Sequence, residues 1–439
     1  MSILNVNKIN PVGGGSTITI AGIASVTSSV TAPSFVGAVT GNVTGNVTGN
    51  SDTASGLSGN PSINTTGIVT ATSFVPTVGQ LSHRNIIING DMRIAQRATS
   101  STSSGIHSVD RFGVWYDNVD EAPTQERYVM NSGDTGPWES GFRNALKVTN
   151  GNQTSGAGAD DYIWIQNLIE AQDIANSGWN YTSSSSYVTL SFWIKTSVSQ
   201  SYKCYLRTRD GTERQYPFET GTVSANTWTK IVKTIPGNSG LQFDNDVNQG
   251  LQINIGCFFG TNLTASGVTE NAWGSWSSTA RVPDMTSTWY TTNDAAFRIT
   301  GVQLEVGPVA TPFEHRSYGE ELTRCLRYFY QSSHWGTASG TGYAALGVNY
   351  TGYQTSNGNW IWVTCYLPVV MRAAPTLDTS DQAGNTGNKH SIFTSTGGAR
   401  TNNVTNYHTS PYNDHFTVSN YNETKYGMQV SGVKADAEL

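Results

Sequence analysis

Flat aromatic rings, planar amides and carboxylates crowd the end of the chain, where Tyr407, His408, Tyr412, Asn413, Asp414, His415, Tyr421, Asn422 and Tyr426 lie close together. Aromatic faces pack on the C–H surfaces of sugar rings, and amides and carboxylates read pairs of hydroxyls. Tyr and Asn give contact area and adaptable hydrogen bonds at low entropic cost. The chemistry these residues suit is reversible saccharide binding, strengthened when several copies act together. Trp335 and Trp360, with Tyr343, Tyr350 and Tyr353, are a second supply of such rings. Trp273, Trp276 and Trp289, in a Ser/Thr/Gly-rich stretch, are a third. The competing role for any one ring is packing in a core or between subunits.

Catalysis has a thinner basis. Glycoside hydrolysis needs two carboxylates held across a cleft, and the adjacent pairs Asp160-Asp161 and Glu320-Glu321 would point apart on a strand or helix. Glu320 suits a capping role and Glu321 a solvated helix charge. No catalytic residue is assigned and a non-enzymatic role is expected. A carboxylate pair assembled by folding, and with it polysaccharide degradation, stays as an alternative. Asp244-Asn245-Asp246-Val247-Asn248 begins like a calcium loop, but Gly250 comes one place late and Ile255 stands where the bidentate Glu belongs. His408 and His415 lack a matched third ligand. Phosphate-loop, dinucleotide and nucleophile-elbow patterns are missing, so neither metal nor cofactor is expected. Cys204, Cys257, Cys325 and Cys365 are scattered, unlike a disulfide framework or zinc site. Cys204 and Cys257, in strand-like aromatic runs, read as buried small hydrophobes.

The elements that must position these residues are strands. Charged residues make up only 13% of the 439, against about 25% in ordinary domains. Gly, Ser, Thr and Asn disfavour helices, while Thr, Tyr, Trp and Val fit a pleated surface. The predicted fold class is all-β. A net charge of −6 without a basic cluster argues against nucleic acid. No apolar run approaches the roughly 20 residues needed to span a bilayer, so no membrane insertion is expected. The opening Met1-Ser2-Ile3-Leu4-Asn5 lacks the cationic and apolar stretches of a signal peptide, which predicts cytoplasmic synthesis without Sec-type export.

Three regions follow. Residues 1–82 carry the tandem repeat Val39-Thr40-Gly41-Asn42, Val43-Thr44-Gly45-Asn46, Val47-Thr48-Gly49-Asn50. One small apolar residue in four cannot fold alone. Stacking on copies of itself, as in an intertwined trimeric β stalk, would supply the missing partners; a flexible polar linker is the alternative. Residues 83–316 hold strand-like runs at Asn85–Ile88, Tyr162–Ile165, Val188–Ile194, Leu251–Ile255 and Phe297–Leu304, which predict a two-sheet jelly-roll β-sandwich. Leu251–Ile255 alternates like a half-buried strand. Residues 317–439 begin with a helix: Ser317 caps it, Glu320 follows three residues on, and Leu322, Cys325, Leu326 and Phe329 recur at helical spacing. Strands follow, notably Trp360–Leu367, to make a smaller β-rich head.

Several segments resemble tail-fibre and related appendage proteins of bacteriophages, especially cyanophages. They are Asn85–Arg97 followed by Asp110-Arg111-Phe112, Leu190–Lys195, Gly301–Gly307, Ala310–Glu314 and the run from Arg316 to Tyr328, with Leu367–Thr376 completing the set. The opening Leu4–Ile9 and the Val-Thr-Gly-Asn tract also look like fibre N-termini. The resemblance covers most of residues 1–376 and stops before the last 60 or so. It implies a carbohydrate-binding-module-like jelly roll, a homotrimer and a place in the virion. Composition, repeat and resemblance together predict a tail-fibre adhesin that binds host cell-surface polysaccharide during adsorption. Ile3, Leu4, Val6 and Ile9 would dock on another virion protein such as a tail hub, adaptor or nozzle, through backbone pairing and small apolar side chains. A capsid fibre, horn or whisker with a mainly structural role is the alternative.

Overall fold

The computed structural model describes residues 82–332, 350–353, 359–381, 385–393, 399–403, 406–410, 412–422, 427–430 and 432–439. The chain divides into two units, Met1–Thr72 and Ser73–Leu439, and every described residue belongs to the second. The predicted stalk, with its docking residues Ile3, Leu4, Val6 and Ile9, lies outside the described residues, as does Trp335.

The protein is all-β, and its larger part is a jelly-roll-like sandwich of two antiparallel six-stranded sheets. The first sheet runs, in spatial order, β1 (Ser100–Ser101), β3 (Thr124–Val129), β4 (Asn144–Thr149), β12 (Ala296–Val306), β6 (Tyr187–Thr196) and β9 (Thr229–Pro236). The second runs β11 (Gly274–Ser275), β8 (Arg214–Val223), β7 (Gln200–Thr208), β10 (Gln249–Phe259), β5 (Tyr162–Glu170) and β2 (Phe112–Asp117). Alternate residues of facing strands meet between the sheets: Ile163, Ile165 and Ile253 from one, Leu190, Phe192 and Ile299 from the other, all essentially inaccessible. Each such side chain contributes about 1.5–3 kcal/mol on burial. The four cysteines are buried free thiols, and burial pushes the Cys204 thiol up to about 12.

Two strand expectations change. Asn85–Ile88 is not a strand, because the Asn85 side chain replaces the ladder: its Oδ1 accepts from Ile87 N at 3.0 Å and Leu304 N at 3.1 Å. Leu251–Ile255 is not half-buried either. As part of β10, flanked by β5 and β7, it is covered on both faces, and its polar positions Gln252 and Asn254 are buried too. At Gly301 (φ 64°) the pairing of β12 with β6 shifts register. A Cβ there would come within 2.7 Å of the Phe142 ring, so the bulge depends on glycine.

A short helix, α1 (Ala171–Ala175), follows β5, and the predicted helix appears as α2 (Tyr318–Leu326). Ser317 Oγ accepts from Glu320 N at 3.2 Å, the expected cap. Phe329 lies beyond the helix in a strand. Glu321 is buried, not solvated, because it accepts from Asn89 N and from Arg316 Nη1. The buried Arg316 guanidinium requires that carboxylate.

The C-terminal part folds into three small antiparallel sheets. The first comprises β13 (Phe329–Gln331), β22 (Gly432–Asp436) and β16 (Thr376–Ser380). The second holds β14 (Tyr350–Tyr353), β21 (Gly427–Val430), β17 (Lys389–Phe393) and β18 (Ala399–Asn403). The third contains β15 (Asn359–Tyr366), β20 (His415–Asn422) and β19 (Asn406–Thr409). Ile361, Val363, Cys365, Phe416, Val418 and Met428 form their shared core. Arg372 ties this part to the sandwich, donating to Val247 O at 2.7 Å and to Ala437 O at 2.8 Å.

Candidate functional site

In-register partners on neighbouring strands share a face, so the outer face of the second sheet can be read row by row. Trp115 of β2 stands opposite Trp164 of β5, which stands opposite Gly256 of β10. In the next row Gly113, Gln166, Asn254 and Tyr205 follow one another. Trp164 stacks on Tyr162 with centroids 4.2 Å apart, and the Arg281 guanidinium lies 5.1 Å from its ring centre. Tyr205 and Trp276 continue this packing, with Arg207 3.8 Å from the Trp276 ring centre. Trp115 alone in the row keeps a broad surface, 38% exposed. The glycines beside it make that possible: a Cβ on Gly113 would sit 2.7 Å from its Nε1. Two donors on this face, Trp164 Nε1 and Asn254 Nδ2, are buried without a protein acceptor, and each such group costs about 1–3 kcal/mol unless something else satisfies it.

Trp115 opens into a cleft of about 530 Å³, within the range of small-molecule sites. Trp115, Gln166 and Leu168 form one wall; Phe329, Lys434 and Asp436 of the C-terminal sheet form the other. Hydroxyls from Ser100 to Ser104 and the His107 imidazole complete the rim. His107 Nε2 lies 3.2 Å from Ser104 O. Burial, and then the Arg97 charge, lower its pKa, leaving a neutral ring that can donate or accept.

Ionic contacts beneath the cleft hold its walls together. Arg97 reaches Asp436 at 3.2 Å, Glu438 at 3.4 Å and Asp110 at 3.6 Å. Arg111 pairs with Glu438. Their guanidiniums lie over Phe329 and Tyr328, at 3.6 and 3.5 Å. Glu170 accepts two bonds from Arg327, both 2.9 Å, a bidentate pair. Burial disfavours the Arg97 charge, but Glu438, Asp110 and Asp436 outweigh it and raise its pKa. Asp110, wholly buried, is pushed up to about 6 against the pull of Arg97 and Gln96.

The distal cluster is only partly assembled. His408 is exposed and its ring lies 5.2 Å from that of exposed Trp362; His415 lies 5.6 Å from exposed Tyr366 and pairs with Asp414 at 2.8 Å. Tyr407 points the other way, as strand alternation demands, and its hydroxyl bonds Thr379 and Asn388. Burial raises that phenol to about 12. Tyr412 is 74% exposed, and Asn413 adopts φ 54° in the adjoining turn. Trp360 and Tyr421 are register partners in β15 and β20; their side chains lie outside the described residues. No described cavity gathers these groups. Of the third supply, Trp289 is core and Trp273 is half-buried with its Nε1 on Pro236 O. Trp115, Gln166, His107 and Lys434 were not anticipated. Trp115 was the one with a signal, as a Trp in the strand-like run Phe112–Tyr116.

No protein-family model matches the chain, and no curated protein matches it. Among solved structures, it is similar to the enzymatically active domain of tailspike protein 4 of bacteriophage CBA120. That match has 11% identity over 51% of this chain and 21% of that one, with a TM-score of 0.27, so the chain spans about a fifth of the tailspike domain. It is also similar to the CBM22-1 xylan-binding domain of Paenibacillus barcinonensis Xyn10C, with 10% identity over 54% of this chain and 100% of that one, TM-score 0.26. The family 11 carbohydrate-binding module of the Clostridium thermocellum cellulase Lic26A-Cel5E gives 12%, 50%, 99% and 0.22 in the same terms. At these scores no site residue is carried over from any of them.

Proposed function

We propose that this chain is a non-catalytic saccharide-binding protein of an extended virion appendage, a multivalent adhesin for cell-surface polysaccharide. The observation that carries the binding reading is the exposed Trp115 ring in a 530 Å³ cleft whose lining also includes hydroxyls, amides and a neutral imidazole. A sugar ring presents C–H groups to one side and hydroxyls around its edge, and this lining answers both. Both cleft-lining carboxylates named above, Asp436 and Glu438, are bonded to arginines, which supports binding over acid–base cleavage. The tail-fibre assignment, the homotrimer, docking through Ile3, Leu4, Val6 and Ile9, and virion localisation rest on the repeats and the resemblance of the sequence.

The test is to titrate the full chain with isolated bacterial surface polysaccharides and assay released oligosaccharides in the same samples. Saturable binding without release is expected, weakened at least about tenfold in Trp115→Ala. Release of reducing ends would mean that a carboxylate pair works in the folded protein. Absence of binding to every polysaccharide tried would favour a structural appendage.

A further inference from the structure

Lys434 lines the cleft and makes no ion pair with any described residue. Arg97 is paired with Asp110, Asp436 and Glu438, and Glu438 also serves Arg111. Lys434 is half-buried, its Nζ 5.8 Å from the Phe329 ring centre. Its register partner across β16 is Asp378. That carboxylate is instead taken by the backbone N–H groups of Gly387 and Asn388, at 3.0 and 2.8 Å. Its other partner, Gln331, is neutral.

An ammonium that makes no ion pair attracts an anion that enters the same cleft. The remaining groups there, the Trp115 face, serine hydroxyls, Gln166 and neutral His107, are those that hold a sugar ring. We infer that the cleft selects acidic saccharides, with a sugar ring against Trp115 and its carboxylate or sulfate on Lys434 Nζ. The inference rests on the saccharide-binding reading and names the ligand class of that site.

The test titrates the full chain with a uronic-acid oligosaccharide, the same oligosaccharide after carboxyl reduction, and a sulfated neutral chain. The acidic form is expected to bind about tenfold more tightly than its reduced counterpart. That preference should shrink as salt rises, because a partly exposed ion pair is screened. Lys434→Gln should abolish the preference, and Lys434→Arg should keep it. An equal gain from carboxylate and sulfate assigns the site to negative charge as such; a gain from the carboxylate alone assigns it to uronates. Equal binding of acidic and reduced forms, or a preference that survives Lys434→Gln, overturns the inference and leaves saccharide binding intact. If none of the chains binds, the saccharide-binding reading fails and takes this inference with it.

Discussion

Asp110 is enclosed by Gln96, Arg97 and, further off, Glu438; Gln96 donates to both carboxylate oxygens, at 3.1 and 2.6 Å. Complete burial still wins, and the carboxyl sits at about 6 in place of 3.8. A folded-state value above the unfolded one means that the folded protein holds this proton more tightly between about pH 4 and pH 6. The stabilisation is present below the unfolded value and is lost as pH rises through the folded one. Urea unfolding of the wild type and Asp110→Asn at pH 4, 5 and 6 should show the wild type losing stability relative to the variant as pH rises. A difference that is flat with pH would mean that Arg97 compensates the charge fully. At this same scale the sequence was least legible. Glu321 reads as a surface charge because helix periodicity carries no trace of Arg316 and Asn89 arriving from elsewhere in the chain. Lys434 reads as one strand residue among many until Asp378 is seen bonded to a turn.

The elements themselves were better written in the sequence. The runs at Tyr162, Val188 and Phe297 are strands because their β-branched and aromatic residues fill a pleated surface facing a core. Ser317 starts α2 because its hydroxyl accepts from Glu320 N. Ser317→Ala should therefore cost about 1 kcal/mol. Glu321→Ala should cost more, about 3 kcal/mol, since it strips a buried guanidinium of one carboxylate. Chemical denaturation of both variants checks the order, and equal small losses would mean that Arg316 is served by Glu314 alone. Asn85–Ile88 misled because apolar, β-branched content does not reveal that an asparagine side chain will take the ladder bonds. The distal rings are divided between two faces for a related reason. Composition placed Tyr407 and His408 together, but adjacent strand residues face opposite ways, so His408 is exposed while Tyr407 is half-buried.

Across the whole molecule, the cleft exists because the C-terminal strand β22 returns to β13 and carries Glu438 to Arg97 and Arg111. Sequence separation of more than 300 residues between these partners put this wall beyond any local pattern. Glu438→Ala leaves Arg111 buried without its carboxylate and should cost about 3–5 kcal/mol. Saccharide affinity should fall with it under conditions where the chain remains folded by circular dichroism. Unchanged affinity would show that the sandwich wall suffices by itself. The most direct measurement of the central claim is hydrogen exchange of the full chain with and without a saturating acidic oligosaccharide. Protection is predicted at 100–115, 166–168, 329–331 and 432–438, the segments that wall the cleft. Protection confined to 406–422, or none anywhere, would contradict it.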